Sequence, residues 1–249
     1  RYALADAGPE LAEALAAIRR ASPAATLASE VLPLADGCRW LTCNAAKYLR
    51  TRRVRSSGRP LWLRDVCLYQ SFQPRGIVLV VGPSNYPLLL TAAPAIQALA
   101  AGNAVVLKPA PACEALLTRF AAMATDCGLP RDLIHVTAST VDAVYETVGA
   151  GIDLAVFTGS STHGRQLLAA LAETLTPAIV ELSGCDAVYV RADADLDLAS
   201  RAIAYAVALN SGRTCIAARR VFVEESRHPM LPQGLVQALA ETPPVTLDT

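Results

Sequence analysis

The sequence predicts a doubly wound α/β fold, in which helices cover both faces of a parallel sheet. From residue 77 onward, short runs of apolar residues alternate with segments of helical pattern that are roughly 8 to 15 residues long. Strands that are apolar throughout are typical of a parallel sheet, because both of their faces are buried beneath crossover helices. The composition agrees, since 53% of the 249 residues are hydrophobic and 18% are charged, which favours a globular chain with a large core.

Before the alternating region, the sequence predicts two helical stretches and one strand. The first helix covers residues 9–20 and has a proline near its start, where a missing N–H is tolerated. The second covers residues 25–50, with a break near Gly37. Residues 64–73 alternate apolar and polar side chains, as a half-exposed strand does. We expect these elements to serve packing and to carry no chemistry.

The alternating region contains five predicted strands separated by four predicted helices. The strands are 77–81, 104–107, 133–136, 154–157 and 178–180, and the helices are 88–101, 113–127, 141–148 and 164–173. A strand, a helix and a second strand then begin another unit, at 187–190, 196–210 and 220–223, and a tail containing proline follows at 227–249. We place the domain boundary after residue 184, which gives domains 1–184 and 185–249.

The charge pattern excludes several classes of partner. Lys plus Arg and Asp plus Glu number 22 each, so the chain has no broad basic surface for nucleic acid or for an anionic membrane. The one basic run, Arg50, Arg52, Arg53 and Arg55, is interpreted as a solvated surface. The apolar runs are too short or too interrupted to cross a bilayer, and no leader segment opens the chain. We expect a soluble, cytoplasmic protein.

The seven cysteines are odd in number and form no CxxC pair. Neither a disulfide framework nor a metal site is therefore predicted. We expect most of these cysteines to be reduced and buried, as small hydrophobic residues. Cys215 differs, because it lies in a loop beside Arg213, where a thiol can be exposed and activated.

Four predicted strands end in loops that carry polar residues. In an open parallel sheet, ligands bind beyond the carboxyl ends of the strands, so these loops should share one rim. The Gly159 loop opens a helix, and its backbone N–H groups suit a phosphate. Lys108 places a cation where a nucleotide's phosphate or ribose hydroxyls can lie. Glu181 places a carboxyl that suits a general base, and Asn85 follows the first strand of the series.

Each of these residues also has a purely structural interpretation. The Gly159 loop matches an ordinary capped helix start, and Lys108 can extend its amine from a strand end into solvent. Glu181 can form a buried salt bridge. Asn85 can be a plain turn residue and Cys215 another buried cysteine. The residues taken singly leave these alternatives open.

Taken together, five segments within residues 75–226 resemble the aldehyde dehydrogenase family, and its short class 3-like branch most of all. In order and nearly in spacing they are similar to the family's oxyanion-loop, Lys-Pro, phosphate-loop, Glu-Leu-Gly-Gly and Gly-Gln-x-Cys segments, and they read GIVLVVGPSNYPLLL, AAGNAVVLKPAP, FTGSSTHG, LTPAIVELSG and LNSGRTC. Five matches in one order are far more specific than any single motif. The resemblance implies a Rossmann-like NAD(P)-binding domain in 1–184 and part of an α/β catalytic domain in 185–249.

The resemblance also implies a role for each candidate residue. Cys215 would attack the aldehyde carbonyl to form a thiohemiacetal, and Asn85 together with the Cys215 backbone N–H would stabilise the oxyanion. After hydride transfer to NAD or NADP, Glu181 would activate the water that hydrolyses the thioester. Lys108 would contact the adenosine ribose. The other implied cofactor contacts are Pro83, Ser84, Pro111, Gly159 and Ser160.

The chain departs from the family pattern at several of these positions. Ser84 stands where the family usually has an aromatic residue, and Pro111 replaces an acidic residue that often reads the ribose hydroxyls. Losing that carboxylate removes a repulsion against a 2′-phosphate, so we expect NADP or dual use. Cys185 stands in place of a lysine, Ser183 in place of a glycine and Arg213 in place of a glutamine.

Three functions compete at this point. The first is NAD(P)-dependent oxidation of a small-molecule aldehyde, with self-association into a homo-oligomer. The second is a cofactor-binding or interaction protein that has lost turnover, and the third is an acyl-CoA-forming dehydrogenase, which does not need the base that Glu181 supplies. Family members continue far beyond the cysteine. We therefore expect the 249-residue chain to bind cofactor and turn over weakly, and its tail to be mobile or to pack against another copy.

Overall fold

A computed structural model describes residues 1–54, 60–63, 65–227 and 229–241, and the chain divides into two compact units. The first unit is Arg1–Glu181 and the second is Leu182–Thr249. Arg55 of the predicted basic run, Arg64 of the predicted strand and the last residues of the tail lie outside the described residues. No helix in the described part of the chain is long and apolar enough to cross a membrane.

The first unit is built on a five-stranded sheet, as the alternating pattern predicts. Its strands are β3 (Ile77–Val81), β4 (Ala104–Lys108), β5 (Ile134–Val136), β6 (Leu154–Gly159) and β7 (Ala178–Leu182), arranged in the order β5-β4-β3-β6-β7. The pairings of β3 with β4, β3 with β6 and β4 with β5 are parallel. The helices between successive strands are α5 (Leu89–Ala100), α6 (Glu114–Asp126), α7 (Asp142–Ala150) and α8 (Ser161–Thr174).

Alternate residues of β3 belong to two different hydrophobic cores. Val78 and Val80 pack in one core with α5 and α6, and Leu79 and Val81 pack in the other with α7 and α8. Side chains of a strand alternate between the two faces of its sheet, so both faces are covered by helices. The prediction of a doubly wound fold is confirmed.

Helices also precede the sheet: α1 (Tyr2–Asp6), α2 (Gly8–Arg19), α3 (Pro23–Thr26) and α4 (Leu32–Leu49). The predicted break at Gly37 is wrong, because Gly37 lies inside α4 and the helical path is instead interrupted by a π-helical turn at Leu27–Val31. Pro33 explains the shift, since a proline has no N–H to donate to the preceding turn.

Within the described residues 65–73 of the predicted strand, the ladder comprises Tyr69–Gln70 (β2), which pairs antiparallel with Arg52–Arg53 (β1). All four residues are exposed. Alternation along the segment does not lead to a longer strand here, because neither face is buried against a core.

The π-helical turn places a charged side chain inside the first unit. Glu30 is fully buried, and its Oε1 accepts a hydrogen bond of 2.7 Å from Arg19 Nη1. Its Oε2 accepts bonds from the backbone N–H groups of Leu88 (2.8 Å) and Leu89 (3.1 Å) at the start of α5. Burial raises the pKa of Glu30, while the two N–H donors and Arg19 act in the opposite direction.

The second unit contains a two-stranded parallel sheet of β8 (Asp186–Val190) and β9 (Ala218–Val223), with helices α9 (Leu196–Ala208) and α10 (Leu231–Glu241). The expectation of a mobile or intermolecularly packed tail is wrong over Leu231–Glu241, because α10 packs on α9 and buries Leu231 and Ala238. Pro232 lies in the first turn of α10, where no N–H bond is lost, so this proline is compatible with the helix.

We predict that Glu30→Gln destabilises the chain by about 3–5 kcal/mol, because it leaves the buried Arg19 guanidinium without its counter-charge. The double change Arg19→Met and Glu30→Gln should cost less than Glu30→Gln alone. Urea unfolding measures both. The exposed Glu13→Gln change serves as the matched control, and an unaltered urea midpoint in Glu30→Gln would contradict the assignment.

Candidate active site

The ends of three neighbouring strands meet at one edge of the sheet. Val81, the last residue of β3, pairs with Lys108 on one side and with Phe157 on the other. Beyond the last pair, the Gly82 N–H donates to the Lys108 carbonyl at 3.0 Å, so β3 and β4 stay joined past their ends. The loops that carry Asn85, Lys108 and Gly159 therefore leave the sheet at the same edge.

The Asn85 loop is held from below by α5. A Cβ atom on Gly82 would lie 1.9 Å from Thr91 Oγ1 in the first turn of α5, so only glycine fits there. Asn85 is half-buried, and its Oδ1 accepts a bond of 3.0 Å from the Tyr86 N–H. The Arg19 guanidinium lies 4.6 Å from the centre of the Tyr86 ring. The loop is thereby tied to the buried Arg19–Glu30 pair.

The two residues before Asn85 differ in exposure, since Pro83 is half-buried and Ser84 is exposed. Neither makes a side-chain hydrogen bond within the described part of the chain. Ser84 therefore leaves its side of the rim open, where a bulkier residue would cover it.

Lys108 is a buried cation that has no counter-charge among the described residues. It is 8% exposed, and no acidic or hydrogen-bonding side chain contacts its amine within those ranges. Burial lowers the pKa of Lys108. An unpaired charge of this kind is costly, and an anionic or hydroxyl-bearing ligand at the rim would relieve that cost.

The loop after Lys108 is constrained although Pro111 itself is exposed. Ala112 adopts a left-handed backbone conformation with φ of 64°, and the Cys113 thiol donates to the Pro111 carbonyl at 3.5 Å. Cys113 is buried, and its burial, with the nearby Glu30 carboxylate, raises its pKa to about 11.

The Gly159 loop opens α8, which begins at Ser161, three residues before the predicted start. The Ser160 hydroxyl accepts a bond from the His163 N–H at 3.3 Å, so Ser160 is the N-cap. A Cβ atom on Gly159 would lie 2.7 Å from the Phe157 ring, which requires the ring to shift. The exposed first turn of α8 suits an anion, because its N–H groups point outward.

Glu181 lies on β7, which is an outermost strand of the sheet, and its side chain is exposed. It forms no ion pair with any described residue. A buried salt bridge is therefore not its role in this structure, and its carboxylate is open to solvent.

Cys215 lies in the second unit, in a turn before β9. Three consecutive residues before it adopt the left-handed conformation: Asn210, Ser211 and Gly212, with φ of 52°, 56° and 71°. Cys215 is exposed, and a Cβ atom on Gly184 would lie 2.6 Å from its carbonyl oxygen. The turn is therefore packed against the backbone that leads into β8.

The expectation that most cysteines are buried is wrong. All seven are described, and Cys113 alone is buried, whereas Cys38 is half-buried and the others are exposed. The five exposed thiols are Cys43, Cys67, Cys127, Cys185 and Cys215. Exposure therefore does not single out Cys215.

The first unit brings Asn85, Lys108 and Gly159 to one edge, while Cys215 belongs to the second unit. Sequence reasoning missed the residues that position these groups, namely Glu30, Thr91 and Gly184. A signal for Glu30 existed, since a lone carboxylate stands among apolar residues in LASEVLPL. No comparable signal identifies Thr91 or Gly184.

Known proteins resemble this chain over nearly all of its length. A sequence profile described as the aldehyde dehydrogenase family matches residues 2–246. A dog protein (Canis lupus familiaris), "Aldehyde dehydrogenase, dimeric NADP-preferring", is 36% identical over 73% of this chain and 40% of its own length. The 4,4'-diapolycopene aldehyde oxidase of a Methylomonas species is 34% identical over 80% of this chain and 37% of its own length.

The fold also matches solved structures. An E. coli NADP dependent enzyme superposes with a TM-score of 0.85 and 26% identity, covering 99% of this chain and 50% of that one. The chain therefore spans about two fifths to one half of the length of these relatives.

We predict that Lys108→Met stabilises the cofactor-free chain by about 1 kcal/mol, because it removes a buried cation that lacks a counter-charge. The folded-state pKa of Lys108 lies below 10.5, so the wild-type chain should recover this stability as pH rises through the folded pKa towards 10.5. Thermal unfolding across that pH range provides the measurement. Lys47→Met, at the exposed second lysine, is the control, and equal shifts in both variants would argue against the assignment.

We predict that Gly184→Ala destabilises the second unit by about 1–3 kcal/mol, because the new methyl group overlaps the Cys215 carbonyl. Gly149→Ala is the matched control, since no atom lies within 4 Å of a Cβ there. Circular dichroism during urea unfolding compares the two. If Gly184→Ala lowers the stability no more than Gly149→Ala does, the Cys215 turn accommodates the added methyl group and the prediction is wrong.

Proposed function

The chain belongs to the aldehyde dehydrogenase family, and on that premise we propose that the protein oxidises an aldehyde to a carboxylic acid with NAD or NADP as the hydride acceptor. The single observation that carries the proposal is the buried Lys108 amine, which lacks a counter-charge among the described residues at the edge that also carries Asn85 and the α8 N-terminus. A dinucleotide supplies ribose hydroxyls for the Lys108 amine and a pyrophosphate for the N-terminus of α8.

The residues at this edge fit such a cofactor. Ser84 is exposed, Pro83 and Gly159 are half-buried, and Ser160 caps the start of α8. Pro111 offers no carboxylate to repel a 2′-phosphate, which supports NADP as well as NAD. When bound, the cofactor accepts a hydride from the substrate carbon.

The remaining chemistry falls to the side chains of this chain. The Cys215 thiolate attacks the aldehyde carbon, and the Asn85 amide and the Cys215 N–H donate to the oxygen that becomes negatively charged. Loss of hydride converts the thiohemiacetal into a thioester. Glu181, open to solvent on β7, takes a proton from the water that then cleaves the thioester.

Convergence of Cys215 with Asn85 and Glu181 belongs to this proposal, because these residues lie in different units. Assembly into a homo-oligomer is part of it as well, and a dimeric NADP-preferring relative supports that part by analogy. The retained carboxylate of Glu181 favours water over coenzyme A as the group that resolves the thioester.

We predict that substitutions separate the acylation of Cys215, which forms NADPH, from the hydrolysis of the thioester. The 249-residue chain with NADP and benzaldehyde should form NADPH slowly, because a nucleophile misplaced by about 1 Å loses on the order of a hundredfold in rate. Cys215→Ala should form none. Glu181→Gln should acylate Cys215 without releasing product, which intact mass spectrometry detects as a benzoyl adduct.

The controls are Cys127→Ala and Glu146→Gln, two exposed positions of the first unit whose changes should leave both readouts unaltered. NADPH formation by Cys215→Ala would refute the nucleophile assignment. Release of the adduct by coenzyme A but not by water in the wild-type chain would favour the acyl-CoA-forming reaction instead.

A further inference from the structure

A second exposed thiol lies beside the Cys215 turn. Cys185 follows Gly184, the residue whose Cβ position falls 2.6 Å from the Cys215 carbonyl oxygen. These are also the two cysteines within residues 182–249. We propose that Cys185 is a resolving cysteine, which forms a reversible disulfide with Cys215 when a peroxide oxidises the chain.

The backbone of Cys185 is fixed against β9. Its carbonyl accepts hydrogen bonds from Arg220 Nη2 at 2.7 Å and from Arg220 Nε at 3.2 Å. The next residue, Asp186, pairs with Ala218 across the parallel sheet. Neighbouring strands lie about 4.8 Å apart, and a disulfide requires Cα atoms within about 7 Å. Cys185 thus lies one residue before a pair whose β9 partner, Ala218, is three residues after Cys215.

The Cys215 side of the pair has room to adjust. Cys215 precedes β9 and takes no part in its ladder, so the turn can shift without breaking strand pairing. The left-handed run from Asn210 to Gly212 also makes this segment costly to hold in one conformation. Both thiols are exposed, so a small peroxide reaches them from solvent.

The other cysteines do not compete for this role. Cys113 is buried with a pKa of about 11, and burial also raises the pKa of Cys38. Both are therefore weak nucleophiles at neutral pH. The exposed Cys43, Cys67 and Cys127 belong to the first unit, whereas Cys185 and Cys215 share the second.

The proposed chemistry has two balanced steps. The Cys215 thiolate attacks one oxygen of hydrogen peroxide, the O–O bond breaks, and a sulfenic acid and hydroxide form; the proton lost from the thiol converts that hydroxide into water. The Cys185 thiolate then attacks the sulfenic sulfur, the S–O bond breaks, and the departing hydroxide takes the Cys185 proton to give a second water. Two thiols are oxidised and one peroxide is reduced.

The consequence is protection of the nucleophile. A sulfenic acid that meets no thiol proceeds to sulfinic and sulfonic acids, which dithiothreitol does not reverse. The disulfide stops that sequence, masks Cys215, and returns it on reduction. The speed of the first step rests on the proposed nucleophilic role of Cys215, whereas the position of the bond rests on the Gly184 contact.

The test uses the full 249-residue chain treated with hydrogen peroxide, blocked with N-ethylmaleimide and digested with trypsin. The two cysteines fall on separate peptides with one cysteine each, residues 166–191 and 214–219. We expect these peptides to be joined by a bond that dithiothreitol cleaves. Cys185→Ser should lose the joined species and accumulate sulfinic and sulfonic Cys215 on prolonged treatment, whereas Cys127→Ser should keep the joined species.

Two results would overturn the proposal. One is a Cys215 that reaches the sulfonic state equally fast with and without Cys185. The other is a bond from Cys215 to a cysteine of another chain, seen as a dimer on a non-reducing gel. The rate of iodoacetamide labelling at Cys215 is measured separately. Slow labelling would count against the proposed nucleophile, while a joined peptide would still establish the pair.

Discussion

The buried carboxylate of Glu30 is the interaction on which the arrangement of the first unit depends. A fully buried charge must be neutralised by fixed partners, and here these come from α2 through Arg19 and from the start of α5 through two backbone N–H groups. The helical layer before the sheet is thereby joined to the sheet itself. Because Arg19 also lies over the Tyr86 ring, the same cluster extends to the residue after Asn85. Elements that carry none of the candidate residues thus fix the loop that carries Asn85.

The elements between residues 77 and 182 follow from the sequence within about three residues, because the central strands β3 and β4 are largely buried and read as nearly continuous apolar runs. Prediction fails where a single residue has two possible effects. Gly37 lowers helix propensity, yet α4 continues through it from Leu32 to Leu49. The prolines within residues 227–249 favour an irregular tail. Pro232, however, falls in the first turn of α10, where a proline is tolerated, and the helix forms.

The placement of three candidate residues at one rim of the sheet is predictable for related reasons. Asn85, Lys108 and Gly159 follow strands, and parallel topology brings strand ends together whatever the side chains are. Glu30, Thr91 and Gly184 act through contacts with residues distant in sequence or across a turn, and no local pattern encodes such contacts. The prediction that most cysteines are buried failed for a similar reason. The average preference of cysteine for the interior does not specify which face of an element is covered.

Chain connectivity adds a constraint that no side-chain contact supplies. Glu181 ends the first unit, and Gly184, three residues later, touches the Cys215 turn. Three residues of extended chain span at most about 11 Å, so Gly184 lies within that distance of Glu181 along the chain. Cys185 is within the same short segment, which means that one stretch of five residues carries the base, the glycine that admits the turn and the thiol proposed to protect it.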